Sequence, residues 1–216
     1  VAHTFAELTQ LPPDALEAVL AAGTTPPFSS IVDHEFRGWN VFSGAVVGAV
    51  GSVLGIQRFA KGFFVRGMGD FGRSAPEIIN TIKPLAGRQG FDVNAAAVDA
   101  LPFVEGYNVK IRRGTASEPW TAIPNDVNPT RHSFYRVERA NDGAARLGRH
   151  PHALLLDYSQ GNPKPSVVDG GGLRDFVVQV DADNPDLLLG KAYLSVGPIT
   201  SAVGFFVLER LRRSGF

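Results

Sequence analysis

The sequence predicts a mainly β protein: an antiparallel, closed β-barrel of about eight strands, with a short N-terminal helix and a helical insertion. Three observations predict it. Short runs of alternating apolar and polar residues are separated by glycine, proline and asparagine clusters. The last four runs follow one another with no helix between them, the spacing that joins antiparallel neighbours. The chain also holds 24 glycines and 15 phenylalanines, a pairing suited to curved sheets with aromatic rings packed over glycine.

Each element has its own signal. Pro12-Pro13-Asp14 opens a helix, Leu16, Val19 and Leu20 fall at helical spacing, and Gly23 ends it. This helix is expected to cap one end of the barrel. The first strand is expected over His34 to Phe42, with Phe36, Gly38, Asn40 and Phe42 on one face and Arg37, Trp39 and Val41 on the other. Ser43 to Ile56 carries no charge and repeats glycine at positions 44, 48, 51 and 55. It falls short of the roughly 18–20 residues that span a bilayer, so a buried segment or a lid over the barrel mouth is expected. A second strand is expected from Arg58 to Arg66, and a short helix near Ala75 to Ile82 after the possible cap Ser74. Phe91 to Ala100 is read as another helical turn. Six further strands are expected over Gly106 to Arg112, His132 to Arg139, His152 to Tyr158, Leu173 to Val180, Leu187 to Val196 and Ala202 to Leu211.

Composition narrows the function. Residues 1–216 are expected to form one domain, since no linker divides them. With 44% hydrophobic and 19% charged residues the chain is globular rather than disordered. Lys+Arg and Asp+Glu are equal at 21 each, which leaves no basic footprint for nucleic acid. The absence of cysteine removes a disulfide scaffold, Cys-ligated zinc and a thiol nucleophile. No signal peptide or transmembrane span is read, so a soluble protein is expected, with the cytoplasm favoured. No cofactor is read from the sequence, and oligomeric state is left open.

Two phrases echo one another: Gly38-Trp39-Asn40-Val41 with Gly106-Tyr107-Asn108-Val109, and Gly62-Phe63-Phe64-Val65 with Gly204-Phe205-Phe206-Val207. In the first pair glycine is expected where the wall bends, with the aromatic next to it filling the space. The Gly38-Trp39 pair on the first strand, the strand-only second half and the closing run Gly204 to Arg210 resemble the calycin-like barrels (lipocalin and nitrobindin types). Here the glycine and tryptophan are adjacent, without the spacer of the lipocalin signature. The resemblance implies binding of a small apolar molecule inside a barrel.

Two functions follow as expectations. The first is carriage or sensing of a small hydrophobic ligand, with Trp39, Phe63, Tyr107, Phe134 and Phe205 as candidate ligand-binding side chains. The second is an enzyme, such as a cyclase, isomerase or hydratase, that uses the barrel for acid–base chemistry. Its candidate residues are Asp157, Lys191 and Glu209, charges set within apolar strands, with Tyr135, Tyr158 and Tyr193. These carboxylates and the amine serve catalysis if they face inward and merely solvate the wall if they face outward. A third reading makes Ser43 to Ile56 an association surface. No metal is expected. His150-Pro151-His152 places two imidazoles on one side of an extended chain, with His132 as a third candidate across a hairpin, but a pair of solvated histidines is the commoner outcome.

Overall fold

A computed structural model describes residues 2–42, 57–65, 94–109, 111, 130–141, 149–161, 171–196 and 198–214. The expected segments Ser43 to Ile56 and Ala75 to Ile82 lie outside the described residues.

Eight antiparallel strands close into a barrel in which each strand pairs with its neighbours in sequence and the last returns to the first. They are β1 (His34–Phe42), β2 (Arg58–Phe64), β3 (Phe103–Val109), β4 (Arg131–Arg139), β5 (Leu154–Asp157), β6 (Leu173–Asp181), β7 (Asn184–Val196) and β8 (Ile199–Arg213). Among the described residues four short helices accompany them: α1 (Phe5–Leu8), α2 (Pro13–Ala22), α3 (Phe28–Ile31) and α4 (Ala95–Asp99). No helix among the described residues is long and apolar enough to cross a membrane.

Directly opposed residues share a face, so the register fixes which side chains point inward. One inner row runs from Phe42 through Gly204, Ala192, Asp175, Leu156 and Val137 to Val104. Continued across β2, that row meets the chain about ten residues before Phe42, a stagger that tilts the strands and widens the interior. Phe36, Phe63, Tyr135, Val137, Leu154, Leu156, Val177, Leu188, Phe206 and Leu208 form the inner core, drawn from all strands but β3, which adds Val104.

The N-terminal helix does not cap an end. Its stripe of Leu16 and Leu20 packs on the outer wall of β6 to β8, against Val178, Leu187, Leu189 and Val207. That explains why both faces of the last strands read as apolar: one meets the core and the other meets α1 and α2. The end is plugged instead by α3 and α4, whose Phe28, Ile31 and Val98 enter the inner core. The Asp99 carboxylate ties the two together, accepting from Ser29 N at 2.9 Å and from Ser29 Oγ at 2.7 Å. Arg139 braces the plug by donating to the carbonyls of Leu101 and Asp99 while stacking over Phe28.

The glycine echo has a different cause from the one expected. The ring over each glycine comes from the neighbouring strand, not from the adjacent residue. A Cβ on Gly38 would fall inside the ring of Phe59, one on Gly106 inside Tyr135, and one on Gly190 inside Phe206, all on the inner face. On the outer face Tyr107 lies over Gly62 in the same way. Trp39 and Tyr107 alternate to the outer wall because successive strand residues face opposite sides.

Candidate functional site

The two ends of the barrel differ. Toward the plug, inner side chains are sealed: Phe36, Val137, Leu188 and Leu208 have no exposure. Toward the other end, inner residues Asn40, Phe42, Phe59, Asn108, Leu173 and Ala192 are half-buried, and Leu194 is exposed. Among the described residues, the inner wall is therefore more accessible from that end, the mouth of the barrel.

At the base of this accessible half stands a charged pair. Lys61 of β2 and Asp175 of β6 are inward and buried, at 3% and 4% exposure. Lys61 Nζ lies 3.1 Å from Asp175 Oδ2. It donates to Tyr158 OH at 2.5 Å and to Asn108 Oδ1 at 3.2 Å. Tyr158 OH donates to Asp175 Oδ2 at 3.4 Å and accepts from Asn108 Nδ2 at 3.4 Å. Four rings surround the ammonium: Tyr135 at 4.9 Å from its centroid, Tyr158 at 5.1 Å, Phe59 at 5.4 Å and Phe206 at 5.5 Å. All four are within reach of cation–π attraction.

Local sequence explains the placement. Phe59-x-Lys61-x-Phe63 sets a lysine on the aromatic, inner face of β2, and Leu173-x-Asp175-x-Val177 sets a carboxylate on the apolar, inner face of β6. Tyr158 comes from the short 3-10 turn Tyr158–Gln160 that ends β5. Burial pushes the Tyr158 hydroxyl well above its ordinary pKa, and the Asp175 charge pushes the same way. Burial also raises Tyr135, against the opposing pull of Lys61. Both phenols therefore hold their protons and act as donors.

Of the residues expected to do acid–base work, Tyr135 and Tyr158 are brought to this cluster. The others lie on the outer wall. Asp157 pairs with Arg174 at 3.0 Å and caps the 3-10 turn by accepting from Ser159 N. Glu209 pairs with Arg37. Lys191 pairs with Glu17 of α2 at 2.5 Å. Burial alone would lower the Lys191 ammonium, but hydrogen bonds to Glu17 and Tyr193 outweigh it and hold the group above its ordinary pKa. Tyr193 bonds His150 Nε2 at 2.8 Å beneath the N-terminal segment. Among the candidate ligand-binding aromatics, Phe63 points into the core. Tyr107 and Phe134 belong to an outer cluster with Phe64, Phe205 to the one under α2, and Trp39 is a half-buried outer residue opposite Val207. Lys61, Asp175, Asn108, Phe59 and Phe206 are the inner residues that the sequence reading passed over.

The three histidines do not converge. Arg139 pairs with Leu154, so His150 and His152 sit beside the end of β4, while His132 lies near its start, about 23 Å away at strand rise. In an antiparallel hairpin the starts of the two strands lie at opposite ends. His152 Nε2 lies 3.0 Å from the Leu20 carbonyl, tying it to α2. Among the described residues no group of three His, Asp or Glu side chains is placed to hold a metal.

Fold and site together define a closed eight-stranded antiparallel barrel, plugged at one end, with a buried lysine–aspartate pair on the side of its more accessible end. No protein-family model, curated protein or solved structure matches the chain.

Proposed function

We propose that residues 1–216 act as one soluble, calycin-like binding unit that holds a small, mainly apolar molecule inside the barrel. The molecule enters at the mouth, and its polar end meets the Lys61 cluster. The observation that carries this reading is the contrast between the two ends, sealed at the plug and half-exposed along Phe42, Phe59, Leu173 and Ala192. An apolar wall with a few placed polar groups is the ordinary make-up of a small-molecule site. Native mass spectrometry of freshly purified protein is expected to show a bound lipid-like or terpenoid-like mass. Protein that is always empty and takes up no apolar probe opposes the reading.

One observation favours a second reading, an enzyme that uses the same chamber. The Tyr158 hydroxyl lies between an ammonium and a carboxylate, where it serves as acid while Asp175 serves as base. Incubation with apolar epoxides, alkenes and alcohols, followed by gas chromatography, distinguishes the two. Recovery of every compound unchanged supports the carrier. A rearranged or hydrated product lost in Asp175→Asn supports the enzyme.

A further inference from the structure

The Lys61 cluster also restricts the chemistry of the molecule it faces, an inference that rests on the chamber reading above. An ammonium has three protons. Lys61 donates to two acceptors, Tyr158 OH and Asn108 Oδ1, lies in an ion pair with Asp175 Oδ2 at 3.1 Å, and has four rings round the rest of the group. The amine is therefore enclosed by its own partners, and its charge is balanced by Asp175. Asp175 receives both of its contacts at Oδ2. Among the described residues its Oδ1 receives no hydrogen bond, and it is not one of the fully buried unpartnered atoms, so this oxygen keeps contact with solvent although the residue as a whole is 4% exposed.

A carboxylate oxygen accepts and cannot donate. A ligand that displaces this solvent without offering a donor leaves a charged acceptor unmet, which is costly. A ligand meets it best with a donor. An ionised carboxylic acid brings no proton and places a second negative charge beside the first. An alkylammonium brings a proton, but adds a positive charge to a cluster already balanced by Lys61. A hydrocarbon leaves Oδ1 unmet. We propose that the barrel selects neutral apolar alcohols, whose hydroxyl donates to Asp175 Oδ1 while the hydrocarbon body lies along Phe59, Leu173 and Ala192.

The test is displacement of Nile red from the full chain by decanol, decanoate, decylammonium and decane at neutral pH. Decanol is expected to compete at a concentration at least about tenfold below the other three, the effect of one hydrogen bond to a charged group. In Asp175→Asn the order is expected to reverse toward decanoate, because Lys61 loses its counter-charge. Lys61→Met/Asp175→Leu, which leaves no buried charge in the cluster, is expected to bind decanol and decane within about threefold of each other. Decanoate or decylammonium competing as well as decanol in the unmodified protein overturns the alcohol assignment while the chamber stands. Failure of Nile red and all four compounds to bind overturns the chamber itself.

Discussion

Replacing Lys61 with methionine keeps a flexible chain among the four rings but removes the ammonium. Among the described residues Asp175 is then left with Tyr158 as its one donor at 3.4 Å, inside a wall where it is 4% exposed. Leaving a buried charge without its partner costs about 3–5 kcal/mol. Asp175→Leu produces the mirror case, an ammonium with two neutral acceptors at 2.5 and 3.2 Å. Removing both charges at once is different, because a buried pair exchanged for apolar side chains is commonly neutral or stabilising by about 1–4 kcal/mol. The single costs are therefore not expected to add. The coupling between the sites should exceed the roughly 0.5–3 kcal/mol usual for touching residues. For a chain of this size one kcal/mol moves Tm by about 2–4 °C, so each single variant should melt roughly 6–20 °C lower. The double variant should melt within roughly 5 °C of the parent or above it. Urea unfolding followed by far-UV circular dichroism measures all four proteins. Single costs below about 1 kcal/mol, or costs that add, would refute a dry, mutually dependent pair.

Three further outcomes follow from other parts of the fold. Gly106→Ala drives a methyl into the Tyr135 ring and should cost about 1–3 kcal/mol; the same change made alongside Tyr135→Leu should cost much less, and an equal cost in both backgrounds would show that the ring is not the cause. Asp99→Ala removes the acceptor of both Ser29 donors and should cost about 1.5–3 kcal/mol, with faster amide hydrogen exchange confined to residues 28–31 and 95–99; unchanged exchange there would sink the idea that this contact seals the plug. Burial first, with Lys191, His152 and Arg149 adding to it and Glu17 opposing, holds the folded-state pKa of His150 below 6.5. The unfolded chain thus binds the proton more readily, and stability present above about pH 6.5 is lost as pH falls through the depressed value. His34, lowered chiefly by burial, contributes with the same sign. His150→Gln should flatten part of this acid loss in urea midpoints measured across the range, and an unchanged slope would exclude His150 as a source.

Much of the barrel was legible because punctuation and alternation agree. His34–Phe42 emerges with the expected bounds, and β6 begins at Leu173 as the Gly170-Gly171-Gly172 run implies. The facing of the later strands was not legible. Alternation identifies an inner face only when the outer one is wet, and α2 keeps the outside of β6 to β8 dry. Asp157, Lys191 and Glu209 thus look the same in sequence whether they point in or out. A bulge on β4 adds a second obstacle. Ser133, with φ of 51°, inserts a residue between the Asn108–His132 and Gly106–Tyr135 pairs, so parity counted from His132 misassigns Phe134 and Tyr135. The Lys61 signal was present on the Phe59 and Phe63 face. Its meeting with Asp175 was not, because that contact crosses the barrel and depends on closure and stagger.

Three of the inner glycines connect this closure to the site. Phe59, Tyr135 and Phe206 are the rings that lie over Gly38, Gly106 and Gly190, and the same three rings stand round the Lys61 ammonium with Tyr158. A side chain on any of the three glycines would push its ring toward the axis. The rings contribute about 0.5–2 kcal/mol each to holding a cation, against a desolvation cost of several kcal/mol for each buried ion. Rings alone therefore leave Lys61 close to balance or short of it, and Asp175 decides whether the charge stays. This dependence separates two kinds of change. Altering a wall glycine moves a ring and should weaken binding while the ion pair survives. Altering Asp175 leaves the rings in place and should change which polar group the chamber accepts.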